Sequence, residues 1–182
     1  PNGNPGAIYD DNNYPIDFGS AGGGNPWKAG ATGGGYLKFV VKGTLTYDGV
    51  ISANGQSGEF GAFDTGGGAG GSIFLDAGTI AGAGSLLANG GGSTSTPGGG
   101  GGGIIVVYTA TDSRGASSES AAGGGSSVNP GIVGFVTTRT LGTEFQRIFA
   151  SSAVYDGSAI GSNASGDSLC TSLATSSGLS GT

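Results

Sequence analysis

The chain contains no histidine and no methionine, one cysteine (Cys170), one tryptophan (Trp27) and only six lysines and arginines among 182 residues. Without histidine, the usual general base, the commonest transition-metal ligand and any Ser-His or Cys-His nucleophile pair are missing. A single cysteine excludes an internal disulfide framework and a Cys-based metal cage. Six basic residues against twelve acidic ones leave a net charge of −6 and no basic face to neutralise phosphates, so nucleic acid is not an expected partner. The longest aliphatic run, residues 104–107, falls far short of the about 20 apolar residues a membrane-spanning helix needs. The composition therefore argues against an enzyme, against a bound cofactor or metal and against a membrane span. The chain starts at Pro1, without Met and without a charged, then apolar, leader, as expected of a processed protein or an excised segment.

What is present in excess is glycine: 44 residues, with six prolines. Such a composition borders on low-complexity disorder. Two features argue for a fold instead. Only 10% of residues are charged, so self-repulsion is weak, and the apolar residues are periodic. Residues 43–55 (GTLTYDGVISANG) and 78–90 (GTIAGAGSLLANG) match at an offset of 35, with Asn54-Gly55 equivalent to Asn89-Gly90. Leu45 and Ile80, and Ile51 and Leu86, are apolar at equivalent places. Four glycine clusters run directly into apolar segments, at 33–42, 69–77, 101–110 and 129–138.

In the first of these segments Leu37, Phe39 and Val41 alternate with Lys38, Val40 and Lys42, the period of a strand with one buried and one wet face. In the second, Ile73, Leu75 and Ala77 take the inward parity and Phe74 and Asp76 the outward one. The run 104–108 is apolar on both parities, so another element is expected to cover its second face. Only 143–151 (TEFQRIFAS) could form a short helix.

The expected fold is all-β, a glycine-rich parallel β-helix (β-solenoid) whose equivalent strands pair in parallel. There Asn54 and Asn89 stack as a ladder. The alternative is a β-sandwich of hairpins in which both Asn-Gly steps are turns. The glycines would serve either as positive-φ corners or as sites of close backbone approach, the latter giving an interior thin in side chains and rich in main-chain hydrogen bonds.

The succession GGGYLKFVVKGTLTYDGVISANG, GGGAGGSIFLDAGTIAGAGSLLANGG and GGGGGGIIVVY resembles the glycine-rich β-helix-like repeat regions of large secreted or surface proteins of bacteria and protists, over about residues 20–138. The resemblance implies a right-handed parallel β-helix related in architecture to pectin-lyase-like folds, sited outside the cell as scaffold, adhesin or fibre component, with no catalytic residue to carry over. The expected organisation is an N-terminal arm or cap (1–23), solenoid repeats (24–138) and a C-terminal coil with a Ser/Thr-rich tail (139–182). In that tail LCTSLAT is a candidate for insertion into a neighbouring subunit. The expected function is a subunit of an extracellular filament assembled end to end with copies of itself. The alternative is a carbohydrate-binding or adhesive module of a larger surface protein.

Individual residues carry weaker signals. Asp10, Asp11 and Asp17 supply oxygen ligands for a cation but match no complete loop motif, and a solvated polar loop is the simpler reading. Asn163-Ala164-Ser165 is the single glycosylation sequon. Tyr47-Asp48-Gly49 and Tyr155-Asp156-Gly157, 108 residues apart, read as turns. Asp48 and Asp76 align with apolar positions, so no acidic column for a polysaccharide-cleaving site forms. Cys170 reads as a buried thiol. Trp27 and the phenylalanines read as core or end-cap residues, with Trp27 also able to stack on a sugar ring.

Overall fold

The computed structural model describes residues 10–61, 64–93, 97–116 and 118–140. All belong to the first of the two units into which the chain divides, Pro1–Leu141 and Gly142–Thr182. The described residues contain no helix and seven strands: β1 (Tyr36–Thr46), β2 (Val50–Ser52), β3 (Ser72–Gly82), β4 (Ser85–Leu87), β5 (Ile104–Arg114), β6 (Ser118–Ser120) and β7 (Phe135–Thr140). The long strands form one sheet in the order β1-β3-β5-β7, and the three-residue strands form a second in the order β2-β4-β6. Every pairing in both sheets is parallel. The chain is therefore a β-solenoid, and the hairpin sandwich is excluded for these strands.

The four glycine-led segments are β1, β3, β5 and β7. Tyr36 lies beside Ser72, Ser72 beside Ile104 and Ile104 beside Phe135, so the coils take 36, 32 and 31 residues. A register shift between Val41 and Thr44 converts the 36-residue offset into the 35-residue offset of Thr44 and Thr79.

Ile73, Leu75, Ile80, Leu86, Ile105 and Val107 fill the space between the sheets and are fully buried. Each such side chain contributes about 1.5–3 kcal/mol by leaving water. The opposite face of the long sheet is also dry. Phe74, assigned outward by parity, is only 3% exposed and packs with Ile104, Val106 and Tyr108. The covering element is the arm at 10–18, which places the Tyr14 ring 5.7 Å from both Phe74 and Tyr108 and buries Pro15. Inward parity at β1 does not bring full burial either. Phe39 remains 39% exposed, and among the described strands β1 pairs with β3 alone.

Between a short strand and the next long strand, each coil runs outward through one glycine-rich segment and returns through another. The bonding of the returning segment 66–71 has a period of three. Gly66, Gly67 and Gly68 donate to Gly23, Gly98 and Gln56, and then Ala69, Gly70 and Gly71 donate in the same order to Ser20, Gly101 and Ala53, all at 2.7–3.1 Å. A backbone that faces the same neighbour every third residue and makes no internal bond is a threefold helix of the polyproline II type. The pairs within a coil follow the same step. Thr65, Gly68 and Gly71 donate to Glu59, Gln56 and Ala53, Gly100 and Gly103 to Gly91 and Ala88, and Gly131 and Gly134 to Gly124 and Ala121.

This geometry decides the use of glycine. Among the described residues only Gly61 and Gly82 have positive φ. Neither Gly55 nor Gly90 is a hairpin turn residue. Glycine is required instead because a Cβ would strike a neighbouring backbone. At Gly71, Gly103 and Gly134 it would lie 1.9 Å from the carbonyl oxygens of Gly35, Gly71 and Gly103, one coil to the next.

A substitution pair tests this packing. A Cβ at Gly100 would come within 2.0 Å of the Gly68 oxygen, whereas at Gly125 it meets nothing within 4 Å. Gly100→Ala is expected to cost at least about 1–3 kcal/mol, as overpacking does, and Gly125→Ala to stay within about 0.5 kcal/mol. Thermal unfolding followed by circular dichroism distinguishes the two.

Candidate functional site

Among the described residues, three polar clusters, one exposed apolar end and a row of loop tips are places where chemistry or recognition could reside. At the corner between β5 and β6 the Arg114 side chain, 8% exposed, pairs with Asp112 at 2.7 Å and with Glu119. It also donates to the Tyr47 hydroxyl and to Thr138 Oγ1. Its hydrogen bond to Asp112 raises the guanidinium pKa despite burial, and the same bond lowers that of the Asp112 carboxyl. All five donors of a guanidinium in such a fork serve local partners. The arrangement joins three coils and leaves no charge free to act on a substrate.

The second cluster is the asparagine column. Asn54 Oδ1 accepts the N–H of Asn89 at 2.7 Å, and Asn89 Oδ1 accepts the N–H of Ala122 at 2.8 Å and the Ser120 hydroxyl at 2.6 Å. Gly55 N–H donates to the Asn89 carbonyl and Gly90 N–H to that of Ala122. The two asparagines stack one coil apart, but through side-chain carbonyl to backbone amide bonds in place of amide to amide. Where short strands give way to glycine helices, neighbouring amides need an acceptor, and this column supplies one.

The third cluster is acidic. Asp10 accepts the N–H groups of Asp11, Ile16 and Asp17 and the Ser72 hydroxyl, while Asp11 accepts those of Asn13 and Tyr14. Burial pushes the Asp10 carboxyl up, but the amides of Asp17, Ile16 and Asp11 and the Ser72 hydroxyl outweigh it and hold its pKa below the usual range. Asp10 therefore closes the arm onto the sheet. Among the described residues no three metal-ligating side chains converge.

Among the described residues the acids of successive coils do not align in a column. Asp76 lies between Val40 and Tyr108 in register, and Asp48 accepts the N–H of Ala83. No buried side-chain nitrogen or oxygen among the described residues lacks a partner. Asn163, Cys170, Tyr155, Asp156, the 143–151 segment and LCTSLAT lie outside the described residues.

The exposed groups lie elsewhere. Trp27 is 74% exposed, not a core residue, and sits in the turn closed by the Asn25–Lys28 bridge. Phe60, 76% exposed, lies at the tip of the next hairpin, tied to the first by the Lys28–Glu59 ion pair. At the first coil, Leu37, Val41, Leu45 and Ile51 are only partly covered, beside the more exposed Phe39 and Val40. Sequence reasoning missed this division: Trp27 lies ahead of the first glycine-led segment at 33–42, and the Asn25–Lys28 bridge shows that 25–28 is a loop tip. Comparison with protein-family models, curated proteins and solved structures finds no match to this chain.

Two outcomes follow from the polar clusters. Removing the Arg114 charge by Arg114→Gln leaves two carboxylates without their partner, and because both keep part of their water a loss of about 1–3 kcal/mol is expected. Chemical denaturation measures it. The depressed Asp10 carboxyl stabilises the fold above the unfolded value of about 3.9, and that contribution disappears as pH falls through the lower folded value. On acidification below about pH 4, the protection factors of the Ile16 and Asp17 amides, measured against the intrinsic exchange rate at each pH, should fall, with the glycine segments 66–71 and 98–103 still protected. Loss of both together at one pH would refute it.

Proposed function

We propose that the chain is a structural module of an extracellular assembly and stacks end to end with further copies through the open end of its solenoid. The observation that carries this reading is the state of β1. Eleven residues long, it has one neighbour among the described residues, β3, and its other edge meets no described strand. Beside it Phe39, Val41 and Leu45 hold the interior parity without a further coil to cover them. An unpaired strand edge with an apolar row templates another strand unless blocked. A second copy offers the partner already used within the fold, since one coil of this chain packs on the next by parallel pairing of such strands. The setting outside the cell rests on the sequence resemblance alone.

A second reading, a carbohydrate-binding or adhesive module, is favoured by Trp27 and Phe60, two exposed aromatic residues on neighbouring hairpin tips. An aromatic face in a polar surround stacks on sugar rings.

Phe39→Lys places a charge at the open end on a side chain that is 39% exposed, so the fold should persist. Under this reading the native chain forms elongated multimers at high concentration, visible by negative-stain microscopy and sedimentation, and Phe39→Lys reduces them at least tenfold. A native chain that stays monomeric overturns stacking. A saturable glycan-array signal abolished by Trp27→Ala supports the second reading.

A further inference from the structure

Beside the glycine helices lies a cleft of about 200 Å³, lined by Asp17, Ser20, Gly70, Gly101, Ile132 and Val133 among others. The packing of the first hairpin explains its shape. The segment 19–23 lies against two returning helices, 31–34 and 66–69. Its Gly19 and Gly22 N–H groups donate to the Gly34 and Ala31 carbonyls, and its Ser20 and Gly23 carbonyls accept from Ala69 and Gly66.

The same place exists one coil further along. Ala31 and Gly34 donate to Gly66 and Ala69, as Gly67 and Gly70 donate to Gly98 and Gly101. Gly67 and Gly70 are thus the equivalents of Ala31 and Gly34, and Gly98 and Gly101 those of Gly66 and Ala69. At the first place these carbonyls and N–H groups are all used. At the second, the carbonyls of Gly67 and Gly70 and the N–H groups of Gly98 and Gly101 have no hydrogen-bond partner among the described residues. Gly70 and Gly101 both line the cleft.

We propose that this cleft binds an extended, glycine-rich segment of another protein, which enters as an additional threefold helix antiparallel to 66–71. Such a segment donates its N–H groups to Gly67 and Gly70 and accepts from Gly98 and Gly101, a backbone recognition akin to strand addition at a sheet edge but with a step of three. It needs glycine at every third position. At Gly19 and Gly22, the template, a Cβ would lie 2.3 Å from the Ala69 oxygen and 2.1 Å from the Gly66 oxygen. The other two positions point away from the bundle and accept small side chains, as Ser20 and Ala21 do.

The test uses the full chain at low concentration and a capped (Gly-Ser-Ala)3 peptide, followed by amide NMR. Saturable shifts centred on Gly98 and Gly101, half-complete at or below about 1 mM, are expected. The same peptide with N-methylglycine at each glycine lacks the donors and should bind at least tenfold more weakly. Gly101→Leu fills the cleft, since a Cβ there finds its nearest atom at 3.8 Å, and should abolish the response in an otherwise unchanged spectrum. Absence of saturable shifts, equal binding of the methylated peptide, or indifference to Gly101→Leu overturns the proposal. Shifts at Gly101 that follow protein concentration without peptide assign the cleft to a second copy and overturn it equally. The cleft does not involve β1, so Phe39→Lys leaves it intact and its outcome is independent of end-to-end stacking.

Discussion

The interaction on which the rest of this molecule depends is the main-chain hydrogen bond donated every third residue from one glycine segment to the next. Glycine is costly to order, by about 0.5–1 kcal/mol relative to alanine in regular structure. Each main-chain bond returns about 0.5–1.5 kcal/mol net. The balance is favourable only if nearly every amide is paired, and pairing in three directions requires helices close enough that no Cβ fits between them. Close approach and glycine content are therefore one constraint seen from two sides. The bonds that Gly66 through Gly71 make with three neighbours are its densest expression.

The solenoid and the glycine bundle stabilise each other at a shared column. Ala53, Ala88 and Ala121, each nearly fully buried, directly follow the short strands, and their carbonyls accept from Gly71, Gly103 and Gly134 at 2.7 Å. The next residues, Ser72, Ile104 and Phe135, open the long strands. Any shift of a returning helix would therefore displace the register of the long sheet, and with it the pairing of Ile73 with Ile105 and of Leu75 with Val107. Charged groups play little part in this. The ion pairs around Arg114 and the Asp10 clasp act at a corner and on the covering arm, outside the glycine lattice.

Much of the solenoid was legible in the sequence, because strands with a period of two and coils with an offset of 35 leave apolar residues at repeating places. Leu45 with Ile80 and Ile51 with Leu86 stand side by side as that offset requires. Parity put Phe74 on the outer face, where it lies, but its burial was not legible, since the cover over it comes from Tyr14 and Pro15, some sixty residues away in sequence and with no repeat to announce them. The reading of Trp27 as core failed for the opposite reason. A large aromatic is normally core, but here the core is made of backbone and strand residues, and the tryptophan is left on a tip. The glycine clusters showed that backbones approach closely without showing the threefold step. A run of identical residues carries no phase, and the phase becomes visible only where other residues interrupt it.

Those interruptions have a physical meaning of their own. In the outer helices only one residue in three meets a neighbouring backbone, and the sequence reads Gly-Ser-Ala-Gly at 19–22, Gly-Gln-Ser-Gly at 55–58 and Gly-Ile-Val-Gly at 131–134. In the inner helix 66–71 two in three are constrained, and the one substituted position is Ala69. Gly98 and Gly101, although glycine, have room for a Cβ, so they are not held by packing within the coil. A single inserted residue inside such a helix would turn every following position by about 120° and aim side chains at carbonyls. Among the described residues, length can vary where the threefold step is absent, as at the tips near Trp27 and Phe60 and at the bulge after Val41. The parts of this chain free to change without loss of the lattice are therefore also its most exposed.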